Sequence, residues 1–256
     1  MAAERFYTEH TEITEGTRIM ATVAGILAEM KKKGKANYQA IYERHGIPKE
    51  RSFGVLTSEL KKIRKAIKGD QKLAMELYKT GMMEPMYLAG LVADGAKMSE
   101  KELRDWANGS HGMPMIAECT VPWVTTENPA ARELALEWMD SKKEAVASSG
   151  WTTYAGIVSL HPDAELDLGE IERLMQRAVK EIGKAPNRVK YAMNGFVISV
   201  GGYVKPLLQQ AKAAAKQLGK VEVDVGETEC KVPLALEYIE KMEKRGRVGK
   251  KKTMKC

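Results

Sequence analysis

From Arg18 onward, apolar side chains return every three or four residues in one short segment after another. That spacing matches the 3.6-residue helical turn and not the alternation of a strand, so each segment predicts a helix with one buried stripe. Ile19, Val23, Ile26, Leu27 and Met30 mark the first, which Gly34 ends. A shorter helix over Asn37–His45 stops at Gly46 and Pro48. Leu56, Leu60, Ile63 and Ile67 form the next stripe, opposite Lys61, Lys62, Arg64, Lys65 and Lys68, which read as a solvated face before they read as a phosphate clamp.

Asp70–Thr80 and Glu84–Ala93 pair across Gly81, and Ser99 with Glu102 is a capping-box signature for a helix running to Trp106. Pro129 suits the first turn of a helix that turns Leu134, Trp138 and Met139 inward. Trp151–Leu160 ends at His161-Pro162, and Ile171, Leu174, Met175, Ala178, Val179 and Ile182 give the cleanest stripe of all. Asn187–Val200 and Tyr203–Leu218 follow. Val221, Val223 and Val225 then alternate with Glu222 and Asp224 before Gly226-Glu227-Thr228 and Cys230-Lys231-Val232, so 221–232 predicts a short β hairpin or extended segment. Pro233 opens a last helix through Ala235, Tyr238, Ile239 and Met242.

About a dozen helices with short links predict an all-α, HEAT-like helical-repeat solenoid with a concave groove. No strict repeat period shows, so a compact helical bundle is the alternative. The expected division is a frayed segment 1–16, one helical-repeat domain over 17–245 and a basic tail 246–256.

Charge is informative once it is located. Residues 241–256 hold eight Lys or Arg and one acid, Glu243. Removing these from the 41 basic and 34 acidic side chains leaves 33 of each, so the formal +7 belongs to the C-terminal end and the body is neutral. A high pI therefore does not mark the folded body as a nucleic-acid binder. Cys119, Cys230 and Cys256 are far apart and the four histidines are scattered, so neither a disulfide framework nor a metal site is expected, and no cofactor is. No run approaches a membrane span and the N-terminal stretch has acidic residues where a signal peptide needs a basic region and an apolar run, so a cytoplasmic protein with no membrane partner is expected.

Asp105–Trp123 gathers the most site-like residues: two tryptophans, a Gly/Ser/His turn, a proline, Glu118 and Cys119. Each has a plain structural reading. Trp106, Trp123, Trp138 and Trp151 can all be core rings, with Trp123 and Trp151 the better groove candidates because they stand at element edges beside Pro122 and Gly150. His111 sits in what reads as an ordinary turn, and Cys119 as a small buried side chain.

Ser52-Phe53-Gly54-Val55 before a Leu/Ile helix, Glu76-Leu77-Tyr78-Lys79 with Gly81, Glu84 and Leu88-Ala89, and a helix ending in Trp106 resemble the DNA alkylation repair proteins built on HEAT-like repeats, the alkylpurine DNA glycosylases of the AlkD type. The stretch from Val223 to Lys252 is similar to one branch named for the same repair function, and the resemblance covers the chain from about Arg18 onward. It implies duplex DNA in the concave groove and excision of N3- or N7-alkylated purines. Such a base is already cationic and leaves without a strong general acid, so the useful groups are a carboxylate beside the developing oxocarbenium sugar and flat aromatic or guanidinium groups that hold the nucleotide.

At each position where the family keeps those groups, this chain departs. In place of a W-D-x-x-D run stands Met113-Pro114-Met115-Ile116-Ala117, with Glu118 one place off. Thr152-Thr153 stands for the paired Arg, and Gly195-Phe196 for a Gly-Trp. The resemblance thus implies a monomeric binder of double-stranded DNA, damaged or distorted, with its glycosylase activity altered or lost. Glu118 is the candidate replacement carboxylate, and Trp106, His111, Trp123, Trp151, Arg188, Lys190, Lys250, Lys251 and Lys252 are the candidate DNA contacts. A helical scaffold that uses the same concavity for protein partners is the other reading.

Overall fold

Residues 22–252 are described in the computed structural model, and among them thirteen α-helices follow one another. They are α1 Val23–Lys33, α2 Ala36–Arg44, α3 Thr57–Ala66, α4 Gln71–Tyr78, α5 Met83–Val92, α6 Glu100–Asn108 and α7 Val121–Thr126. The second half holds α8 Ala131–Met139, α9 Glu144–Leu160, α10 Leu168–Glu181, α11 Asn187–Tyr203, α12 Leu208–Leu218 and α13 Ala235–Lys244. The segment 1–16, expected to be frayed, lies outside the described residues.

Side chains set several helix starts. Thr22 accepts from the Gly25 amide at α1, Asp70 from Leu73 at α4 and Asp167 from Glu170 at α10. Ser99 and Glu102 form the complete capping box at α6, as their spacing predicts. Helices pack on near neighbours in sequence, α4 on α5, α8 on α9, α11 on α12 and on α13, which is the habit of stacked repeats. Two apolar clusters result, one from α1 to α8 and one from α8 to α13, and they meet where α9 lies against α8. Gly150 permits that approach: a Cβ there would stand 2.6 Å from the Met139 nitrogen and 2.7 Å from the Ala135 oxygen.

The predicted hairpin does not form: among the described residues none is a strand. Residues 221–226 carry no regular secondary structure, and a side chain takes the neighbouring strand's place. The Asn187 amide donates to the Asp224 carbonyl and accepts from the Asp224 amide, both at 2.7 Å. Gly226, with φ +70, then brings the segment so close to α2 that a Cβ would meet the Arg44 carbonyl at 2.2 Å. Two predicted boundaries also move. The Trp151 helix begins at Glu144, and the Tyr203–Leu218 helix breaks where Pro206 sits in a single turn over Lys205–Leu207.

The basic C-terminal stretch is folded in as far as Lys252. Gly246, with φ +60, follows α13; its amide reaches the Glu243 carbonyl and the Arg247 amide reaches that of Met242, a Schellman turn that reverses the chain. Gly249 N–H then bonds Gly202, Lys252 N–H bonds Ser159, and the Lys251 ammonium donates to the carbonyls of Val158 and Tyr203 and to Asp163. Among the described residues, no helix is long and apolar enough to cross a membrane and no group of three or more His, Cys, Asp or Glu could hold a metal.

Candidate nucleic-acid interface

Three adjoining cavities share lining residues, and two of them reach the start of α9 or of α11. The first, about 330 Å3, lies between α4 and α6 and includes Tyr78, Lys79, Trp106 and His111. His111 also borders the second, about 320 Å3, with Lys143, Glu144, Glu118 and Arg188. Pro114, Glu118 and Arg188 then continue into the third, about 760 Å3, beside the 224–230 segment.

Glu118 is placed by a π-helical turn over Ile116–Thr120. Its cause is Pro122, which has no N–H to give the Glu118 carbonyl and whose ring would crowd it. The backbone widens: Val121 N–H bonds the Ile116 carbonyl five residues back, and the Ala117 carbonyl released by that shift accepts from the Ser149 hydroxyl of α9 at 2.6 Å. In this turn the Glu118 carboxylate meets Arg188 of α11 bidentately, at 2.7 Å to Nε and 2.5 Å to Nη2. The Glu118 side chain is only 10% exposed and that of Arg188 23%. Burial pushes the Glu118 carboxyl above its ordinary range, against the pull of the two Arg188 bonds and helped by the nearby Glu144 charge. The guanidinium also lies over the Tyr191 ring, 4.6 Å from its centre.

The start of α11 is occupied as well. The Arg188 amide donates to the Glu144 carboxylate at 2.6 Å, so this helix terminus already holds an anion. Lys190 borders none of the three cavities. His111 takes a φ of 54° in its turn and packs over Gly81 beside Arg51. Partial burial, then the Arg51 charge, lower its pKa, which keeps the ring neutral at physiological pH.

The tryptophans require a correction. Trp151 is fully buried against Phe196, and Trp123 packs edge-on to Tyr87 at 7% exposure, so neither stands on a groove wall. Each is an inward position of a helix inside one of the two cores. Trp106 is stacked on Tyr78 with centroids 3.9 Å apart and leaves 3% exposed, bordering a cavity without presenting a ring face. Trp138 is a core ring, as its helix face predicts.

Lys250, Lys251 and Lys252 are not beside Glu118. They sit at the other ends of α9 and α11, helices of seventeen residues each, which at 1.5 Å per residue puts them about 25 Å away. The structure therefore brings together Glu118, Arg188 and His111 and keeps the basic end apart. Sequence reasoning missed Lys143, Glu144 and Tyr191; Glu144 lies in a stretch whose helix has no clear apolar stripe, and nothing local announces a pairing across seventy residues. The three cavities are bordered by six carboxylates (Glu43, Glu102, Asp105, Glu118, Glu144, Asp224) and four permanent cations (Arg44, Lys79, Lys143, Arg188), so the groove is not a basic one.

The helical succession has counterparts in known proteins. Residues 26–222 match the model of a family described as DNA alkylation repair enzyme. The uncharacterized protein Lin0241 of Listeria innocua is 30% identical over 229 residues, 88% of this chain and 99% of the relative, and Lmo0209 of Listeria monocytogenes matches to the same extent. A solved structure described as a new family of proteins related to the HEAT-like repeat DNA glycosylases, with affinity for branched DNA structures, superposes with a TM-score of 0.83 at 33% identity, covering 91% of this chain and 98% of its own. With the family model spanning most of its helices, this chain belongs to the DNA alkylation repair enzyme family.

Proposed function

We propose that the protein binds double-stranded DNA that is distorted or branched and does not excise alkylated bases by the carboxylate route. The observation that carries this reading is the closed Glu118–Arg188 pair. A carboxylate assists glycosidic cleavage only if its charge faces the developing oxocarbenium ion in a prearranged site. Glu118 spends its charge on a guanidinium, and burial disfavours the bare anion further. No tryptophan presents a face to a nucleotide from this groove.

Support for DNA as the ligand comes from the family, and for a branched or distorted form from the related structure with affinity for branched DNA. A groove with no excess of cations fits a site that selects shape over one that gathers phosphates indiscriminately. Lys79, Lys143 and Arg44 are the cations that border it besides the paired Arg188, and His111 contributes a neutral hydrogen-bonding ring. In this reading the protein works as a monomer in the cytoplasm, needing no metal or cofactor. The scaffold reading draws on the same carboxylate-rich lining, which repels phosphate.

The test has two arms. Incubated with methylated duplex DNA, the protein should release 7-methylguanine and 3-methyladenine no faster than spontaneous depurination; release well above that rate, abolished by Glu118→Gln, overturns the non-excising reading. In a titration at low salt, a three- or four-way junction should bind at least tenfold tighter than a linear duplex of equal length. No binding to either leaves the scaffold reading standing and removes this one.

A further inference from the structure

A second recess of about 560 Å3 lies at the far ends of α9 and α11. Tyr238, Lys241 and Arg245 border it at i, i+3 and i+7, one face of α13 and its cap. Arg247 and Lys250 enter from the Schellman turn, and Tyr203 closes the base. The turn is held by the backbone bonds to Gly202 and Ser159 and by the half-buried Lys251 ammonium. Asp163 neutralises Lys251, but among the described residues no carboxylate pairs with Lys241, Arg245, Arg247 or Lys250. Four like charges fixed around one concavity repel one another unless an anion enters.

The same recess exposes an aromatic ring. Tyr238 is 49% exposed, the largest exposure of any big apolar side chain in the described residues, and stands among those cations. Cations that track phosphates beside a free ring on which a base can stack are the two elements of single-strand recognition. A recess of about 560 Å3 admits one or two nucleotides, and only an unpaired strand can offer a base face to the ring, because a duplex keeps its bases stacked inside.

We propose that this recess is a second nucleic-acid site, which takes an unpaired DNA strand with its phosphates against Lys241, Arg245, Arg247 and Lys250 and one base stacked on Tyr238. The choice of DNA rests on the function proposed above; the choice of an unpaired strand rests on the recess itself. With the groove about 25 Å away along α9 and α11, one molecule holds paired and unpaired DNA at once.

Fluorescence anisotropy on the full chain with a labelled dT12 strand, a blunt 20-base-pair duplex and a four-way junction tests it. Tyr238→Ala should weaken dT12 binding about tenfold and Tyr238→Phe by no more than about twofold, while duplex and junction affinities stay unchanged. Arg247→Glu with Lys250→Glu should reduce the slope of log affinity for dT12 against log salt by about 1.4, two phosphate contacts at about 0.7 each. Wild-type affinity for dT12 in Tyr238→Ala, with circular dichroism showing an unaltered fold, overturns the site. Tighter binding of rU12 than of dT12 overturns the choice of DNA. Tyr238-dependent binding of dT12 with no binding of duplex or junction upholds this site and sinks the groove reading alone.

Discussion

Glu118 and Arg188 show how much a single pairing decides. The carboxylate is almost out of water, and burial alone would keep it protonated at higher pH than an ordinary side chain; the bidentate guanidinium is what offsets that cost. Arg188→Ala should therefore destabilise the fold by about 3 kcal/mol, at the low end for breaking a buried pair because the arginine keeps some solvent. The pH dependence follows from the raised pKa. The folded state holds the Glu118 proton more tightly than the unfolded chain, so this group's contribution is full below the ordinary 4.5 and is lost as pH rises through the elevated folded value. Without Arg188 that value rises further. Urea unfolding should show a larger loss in Arg188→Ala at pH 8 than at pH 5; equal losses at both would mean that Glu118 escapes to solvent when its partner is removed.

At the scale of elements, Glu84 gives the Ser52-Phe53-Gly54-Val55 stretch a structural role. It is wholly buried at the start of α5, and its two oxygens accept from the Ser52 hydroxyl and the amides of Phe53, Gly54 and Val55, at 2.7 to 3.1 Å. A loop with no secondary structure of its own is thereby tied to a helix. Burial, and then the Glu84 charge, push the Tyr42 hydroxyl beside it up to about 12. Glu84→Ala should cost about 3 kcal/mol or more by stranding four donors, and Ser52→Ala about 1 kcal/mol; similar small losses for both would remove Glu84 as the organising acceptor. The helices were legible from the sequence because the 3.6-residue stripes and the Ser99–Glu102 box are local signals. The hairpin was misread for the opposite reason: Val221, Val223 and Val225 alternate like a strand, but what satisfies Asp224 is a side chain thirty-seven residues away. Trp123 and Trp151 were misplaced because a ring at an element edge looks the same in sequence whether it faces a groove or a core. The π turn has one local signal, Pro122 four residues after Glu118, which removes the amide that the Glu118 carbonyl would otherwise accept from.

Across the whole molecule, α9 and α11 join two ends of contrasting charge, a groove with more carboxylates than cations and a recess bordered by lysines and arginines. The sequence placed the net charge correctly at the C-terminus but gave no sign that the stretch is docked, because its anchors are backbone carbonyls at the ends of distant helices. Docking has a stability consequence that a solvated tail would lack. Lys251 supplies donors to the last turns of α9 and α11 together, and Gly249 and Lys252 add two backbone bonds. Each bond contributes about 0.5–1.5 kcal/mol and a charged donor somewhat more, discounted here because Lys251 and Asp163 both retain solvent. Truncation after Arg245 should thus cost about 2–4 kcal/mol, which lowers Tm by roughly 5–12 °C in a chain of this size. Lys251→Met, which keeps the backbone bonds and all the surface cations of the recess, should lose about half of that. Hydrogen exchange should quicken in both variants at the C-terminal turns of α9 and α11 and remain unchanged at their starts, where Glu144 and Arg188 hold the groove. A truncated chain with the parental Tm and parental exchange at Val158 to Leu160 would mean that the basic end is not a strut of the fold.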